Sequence, residues 1–119
     1  MTSISVVVPV FNEEGNVANL HQEIKQMCEA NNYNYEIIFV NDGSSDRSEE
    51  VCRTLRPLKY IKLRRNFGQT AAMDAGIKAA QYEYIVTMDG DRQTDPADIP
   101  MMIQYLEQHD LDVVSGWRK

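Results

Sequence analysis

The chain has 119 residues, enough for one small domain around one core, and its 43% hydrophobic and 25% charged residues are ordinary for a globular protein. A formal net charge of −6 argues against nucleic acid as a primary partner, because phosphate backbones favour basic surfaces. No apolar run approaches the ~20 residues that span a bilayer, and Met1-Thr2-Ser3 lacks the charged start and apolar core of a signal peptide, so a cytoplasmic setting is expected.

Residues 3–10 (SISVVVPV) read as the first strand. Asn12 is expected to cap a helix whose apolar positions Val17, Leu20, Ile24, Met27 and Cys28 share one face. Residues 35–41 (YEIIFVN) form the second strand. Asp46 and Glu49 have capping-box spacing and open a second helix to about Leu55, which Pro57 helps to end. Residues 59–64 are a third, more polar strand, nearer an edge. Residues 68–80 are a third helix. Ala71, Ala72, Ala75, Gly76 and Ala79 give it so little bulk that its backbone can approach a sheet or a ligand closely. Residues 84–88 are the fourth strand. Asp95 caps a fourth helix, with Pro96 at its first position and Asp98 in its first turn. Residues 112–115 are a short fifth strand. Cys28 and Cys52 fall inside helical apolar patterns and read as reduced core thiols. His21 and His109 have no ligand-spaced partner and read as surface residues.

Strands alternating with helices imply an α/β fold with a mostly parallel sheet and helices on both faces. Ligands of such sheets bind beyond the carboxyl ends of the strands, at a topological switch. Polar residues gather where that rule wants them: Phe11-Asn12-Glu13 after strand one, Asn41-Asp42-Gly43 after strand two, Asp89-Gly90-Asp91 after strand four.

The last of these groups has the plainest chemistry. In an extended segment Asp89, Asp91 and Gln93 share one face, while Gly90 and Arg92 point away. Carboxylate and amide oxygens suit a hard divalent cation, Mg²⁺ or Mn²⁺, which keeps open positions for substrate phosphates. Such an ion would supply the positive charge that an acidic chain lacks when its ligand is anionic. A calcium loop does not fit, since Thr94 stands where the sharp-turn glycine belongs and Pro100 where the bidentate glutamate belongs. Asp42, in NDGSSD, is either turn chemistry or a carboxylate that accepts a nucleobase N–H. A dinucleotide loop is not present: PVFNEEGN has one glycine and two acids where G-x-G-x-x-G would cradle pyrophosphate.

Five segments, VVVPVFNEE, EIIFVNDGSSD, LRRNFGQTAAMDAG, TMDGDRQTDPADIP and DVVSGWR, resemble in order and spacing the family-2 glycosyltransferases, which have the GT-A fold. RNFGQTAAMDAG, DGDRQ and SGWR look most like the branch that transfers a sugar to polyprenyl phosphate. The resemblance covers nearly the whole chain, residues 1–119 as one nucleotide-sugar-binding part. It implies that Pro9, Phe11, Glu13, Val40 and Asp42 hold the nucleotide of a UDP- or GDP-sugar, with Asp42 toward the base. It places Asp89 and Gly90 near ribose or phosphate, and has Asp89, Asp91 and Gln93 as the metal set. Arg118 matches an arginine that meets phosphate near the reacting centre, so Asp89, Asp91 and Arg118 are the catalytic candidates. The implied reaction inverts the anomeric carbon, and the implied acceptor, polyprenyl phosphate, lies at the cytoplasmic face of a membrane.

Two departures accompany the resemblance. Arg92 stands where the family usually has an apolar residue, and the family domain normally continues for roughly as long again. A non-catalytic nucleotide-sugar-binding module and a transferase to a saccharide hydroxyl remain as alternatives. A phosphoacceptor receiver domain does not fit, because strand three ends Leu63-Arg64-Arg65-Asn66, without a carboxylate.

Overall fold

The computed structural model of the chain describes residues 2–88, 95–109 and 113–115. Strand β1 (Ser3–Val10) is buried along nearly its whole length, which its run of valines anticipates. It pairs in parallel with β2 (Asn34–Asn41) from Ser3↔Asn34 to Val10↔Asn41, and with β4 (Tyr84–Thr87) from Ile4↔Tyr84 to Val7↔Thr87. The edges are β3 (Lys59–Lys62) beside β2 and β5 (Val113–Ser115) beside β4, both parallel. The order is therefore β3-β2-β1-β4-β5. The chain reverses its direction of travel across the sheet between β3 and β4, so the topological switch lies between β1 and β4.

Alternation in the strands sorts side chains onto two faces. Ile4, Val6, Val8 and Val10 join Ile37, Phe39 and Val86 in the larger cluster. Helices α1 (Val17–Ala30) and α2 (Ser48–Cys52) cover that cluster, together with α4 (Ile99–His109), which is entered through the 3-10 turn Pro96–Asp98. Val7, Ile38 and Val40 face the other way, under α3 (Gln69–Ala79). A Cβ at Gly76 would overlap Val7 Cγ1, so the small residues of α3 serve tight helix–sheet packing. Asp95 caps the 3-10 turn as expected, accepting the Ala97 N–H at 2.9 Å.

Three local expectations are corrected. Asn12 does not cap α1. Its φ is 52°, its carboxamide accepts the Ser45 N–H, and the helix begins at Val17 after Glu13 O has accepted the N–H groups of Asn16 and Val17. No capping box forms at α2, because Glu49 pairs with Arg53 (2.7 Å) and Lys62 (2.8 Å) instead of reaching back. His21 is not on the surface: it is 3% exposed and lies 6.0 Å from the Phe39 ring, edge to face. Its Nε2 is 2.7 Å from the Pro57 carbonyl oxygen, which can only accept, so Nε2 carries the hydrogen. The His109 side chain lies outside the described residues. Cys28 and Cys52 are free and buried as expected. Burial, with nearby acids, pushes their thiols up to about 12 and about 11, so both stay protonated at neutral pH.

At the amino end of the sheet, Glu36 gathers the turn that follows α3. Its Oε2 accepts the Ser5 hydroxyl (2.6 Å) and the Gln81 N–H (2.7 Å). The Lys59 ammonium lies 3.2 Å from Oε1 and donates to the Ala79 carbonyl at 3.0 Å. Ser5 Oγ accepts the Tyr82 N–H at 3.2 Å. Burial alone would raise the Glu36 pKa, but these hydrogen bonds and the lysine charge outweigh it and hold the carboxyl below its ordinary range. The stabilisation is therefore present above the unfolded carboxyl pKa of about 4.3 and is lost as pH falls through the lower folded value. Glu36→Gln should cost about 1–3 kcal/mol in urea unfolding at pH 7. The gap between variant and unmutated chain should shrink as pH falls below 4; a constant gap would remove the charge from this account.

Candidate active site

Loops leave the carboxyl ends of β1, β2 and β3 on one rim. Among the described residues, pairing of β1 with β4 runs to Val7, whereas pairing with β2 runs to Val10. Val8, Pro9 and Val10 lie past the last described β4 partner, at the switch point, where folds of this kind place the ligand crevice. Val7 O accepts the Met88 N–H on the β4 side (3.0 Å), and Val10 O accepts the Asp42 N–H on the β2 side (2.8 Å). By alternation Pro9 turns its nitrogen toward β4, beyond the last pair. There the missing N–H removes no bond from the described ladder.

Past Val10, Phe11 is 44% exposed and Glu13 is half-buried. The backbone of residues 12–14 is held from the loop after β2. Asn12 N–H donates to Ser44 Oγ (3.0 Å), Glu13 N–H to Ser48 Oγ (3.0 Å) and Glu14 N–H to Asp46 Oδ2 (3.1 Å). In return the Ser45 N–H donates to Asn12 Oδ1 at 2.8 Å. Ser48 gives its hydroxyl (2.6 Å) and its N–H (3.0 Å) to Asp46 Oδ1. Burial pushes the Asp46 carboxyl up, but the bonds from Ser48 and Glu14 win and hold it below its usual range.

Asp42 is 3% exposed at the end of β2. Its Oδ1 accepts the Phe67 N–H (2.8 Å) and its Oδ2 the Gly68 N–H (3.1 Å). Gly43 follows with φ 70°, and a Cβ there would overlap backbone atoms of Arg65 and Asn66. The loop after β3 is therefore pressed against the loop after β2 and clamped by a carboxylate. On it, Phe67 is 48% exposed with the Arg65 guanidinium 4.8 Å above its ring. Asn41 lies behind, taking the Ser44 N–H (2.9 Å) and donating to the Tyr60 hydroxyl (3.0 Å).

The fold thus brings Pro9, Phe11, Glu13 and Asp42 to one rim. Val40 is buried under α3, beside Gly76, and sits opposite Pro9 in the β1–β2 register. Asp89, Gly90, Asp91, Gln93 and Arg118 lie outside the described residues, as does Arg92. Sequence reasoning missed Ser48 altogether, and read Ser44 and Asp46 only as turn and cap chemistry. The available signal was NDGSSDRS itself, a dense run of short oxygen side chains next to a loop with backbone donors to satisfy.

The sequence pattern of the family described as Glycosyl transferase family 2 matches residues 5–119. A curated relative, dodecaprenyl-phosphate galacturonate synthase of Rhizobium johnstonii, is 46% identical over 98% of this chain and 36% of its own length. The undecaprenyl-phosphate 4-deoxy-4-formamido-L-arabinose transferase of Aeromonas hydrophila is 36% identical over 98% of this chain and 37% of its own. The chain therefore spans about a third of these relatives. Among solved structures, mannosyltransferase PcManGT of Pyrobaculum calidifontis, in complex with GDP-Man and Mn²⁺, superposes with a TM-score of 0.76 at 20% identity, over 87% of this chain and 32% of that one. That likeness shows the fold, which is GT-A as expected.

Asp42→Asn leaves one amide oxygen for two N–H donors. It should cost about 1.5–3 kcal/mol, the range for a hydrogen bond to a charged group. Amide exchange at Phe67 and Gly68 should accelerate far more than exchange in the centre of β1. Unchanged protection at those two amides would show that the loop is held by something else.

Proposed function

We propose that this chain, which belongs to glycosyltransferase family 2, forms the donor-binding part of an enzyme that transfers a sugar, with inversion, from a UDP- or GDP-sugar to a polyprenyl phosphate. The two curated relatives support this acceptor, since both are named for a polyprenyl phosphate and both align along 98% of this chain. No helix among the described residues is long and apolar enough to cross a membrane. In this reading the rim receives a lipid phosphate at the cytoplasmic face of a membrane.

The observation that carries the mechanism is the closed approach to α1. Doubly wound nucleotide folds seat a diphosphate on free N–H groups after the first strand. Here the N–H groups of Asn12, Glu13 and Glu14 are already bonded to Ser44, Ser48 and Asp46. Glu13 and Glu14 add negative charge to the same turn. An anionic donor then needs another source of positive charge on this rim. Mg²⁺ or Mn²⁺ held by Asp89, Asp91 and Gln93 fits that need, since oxygen donors suit hard cations and the end of β4 borders the crevice. Bound there, the ion would neutralise the diphosphate and stabilise the charge that develops on the leaving group.

The remaining roles belong to side chains and backbone of the rim. Pro9 and Val40 form the floor, and Phe11 and Glu13 flank the nucleoside. Asp42 keeps unused lone pairs on both oxygens and accepts an N–H of the base while it holds the loop. Arg118 meets the acceptor phosphate. That oxygen is anionic at neutral pH, so attack on the anomeric carbon requires no strong general base.

Two outcomes test this reading. Asp91→Asn should abolish the Mn²⁺-dependent part of UDP or GDP binding in calorimetry while leaving the fold intact. Equal affinity of the unmutated chain in EDTA and in Mn²⁺ would exclude the metal bridge. In protein of the relatives' length, Arg118→Ala should depress transfer to polyprenyl phosphate far more than donor binding. Transfer at the unmutated rate would shift the acceptor toward a saccharide hydroxyl, with a base elsewhere.

A further inference from the structure

The turn of residues 12–14 has a conformation that its own sequence does not enforce. Asn12 is left-handed, at φ 52°, a region sparsely occupied by residues other than glycine. Helix α1 begins only at Val17, so its ladder does not hold the N–H groups of Asn12, Glu13 or Glu14. Three side chains of the loop after β2 hold them instead, one each. Two of the three form a unit. Asp46 spends one oxygen on Ser48 and the other on Glu14, and Ser48 passes its hydroxyl hydrogen to Asp46 while accepting from Glu13. Ser48 is fully buried, so its hydroxyl is committed to this pair.

We infer that Asp46 and Ser48 are positioning residues for the donor nucleotide. They fix the backbone on either side of Glu13, and so set where Phe11 and Glu13 stand at the mouth of the crevice. The inference rests on the transferase reading, in which those two residues flank the nucleoside. It goes beyond that reading by giving affinity for the donor to two side chains that do not touch it. A brace that served stability alone would have no such reach: losing it would lower the folded fraction and leave each folded molecule with its full affinity.

Calorimetric titration separates the two, because stoichiometry reports the competent fraction and the dissociation constant reports each site. UDP and GDP, with Mn²⁺ present, are the probes, and the full chain is the sample. Ser48→Ala removes the link to Glu13. Asp46→Asn, at a partly exposed position, keeps one oxygen for Ser48 and turns an N–H group toward Glu14 or the reverse. Each should weaken the better-bound nucleotide about five- to tenfold at full stoichiometry, as expected when part of a charge-assisted bond's worth reaches the site. Thr54→Ala, at the end of the same segment and bonded only to Val51 O, should change neither number. If Ser48→Ala does not fold, Asp46→Asn decides. Reduced stoichiometry with an unchanged constant would overturn the inference and leave the transferase reading intact. Failure of the unmutated chain to bind either nucleotide would overturn both.

Discussion

Strand β2 carries a carboxylate at each end, and helix α3 is held between them. Glu36, near its start, takes the Gln81 N–H just past the helix; Asp42, just past its finish, takes the N–H groups of Phe67 and Gly68 just before it. Between the two, Gly76 lets the helix backbone lie against Val7 and Val40. Buried carboxylates are costly unless charge or hydrogen bonds compensate them. Glu36 has a lysine and a serine as well as a backbone donor. Asp42 has backbone donors, at the positive end of the α3 dipole. The position of the loop after β3, and with it that part of the rim, follows from that second clamp.

The part of the rim nearer the switch point is set by the exchange between the loops after β1 and β2. A chain of net charge −6 faces a particular difficulty in binding a diphosphate. The usual remedy of a parallel α/β fold is unpaired N–H groups after the first strand. Here those of Asn12, Glu13 and Glu14 are already bonded to Ser44, Ser48 and Asp46. The same bonds that give the rim its shape therefore take three donors away from an anion. In the proposed function, cation and donor diphosphate arrive together beside β4.

Much of this was legible from patterning. The apolar run of β1, the 3.6-residue stripe of α1 and the edge character of β3 came through because burial sets them, and burial follows side-chain type. His21 shows the limit of the same logic. It sits in the stripe between Leu20 and Ile24, and its position should have outweighed its polarity; its partner, the Pro57 carbonyl, lies 36 residues away and leaves no local trace. Asn12 and Glu49 failed for a related reason. Each had the spacing of a cap, and each found other partners: Ser45 of the loop after β2 for Asn12, and for Glu49 both Arg53, one turn along the same segment, and Lys62 on β3. Short-range rules weigh only neighbours in sequence, whereas rim loops are stabilised by neighbours in space.

The two readings of Asp42, turn chemistry and base recognition, need not exclude each other. As turn chemistry it would bond its own loop, and as a base reader it would leave its oxygens free. It does neither outright: it binds a different loop through one lone pair on each oxygen and has others in reserve. A carboxylate already fixed by two backbone donors is held in one orientation, so a further donor meets a pre-set acceptor and loses little entropy on arrival. The clamp that shapes this part of the rim is thus also what would make Asp42 a precise reader of the base, and the two roles support each other through the same pair of hydrogen bonds.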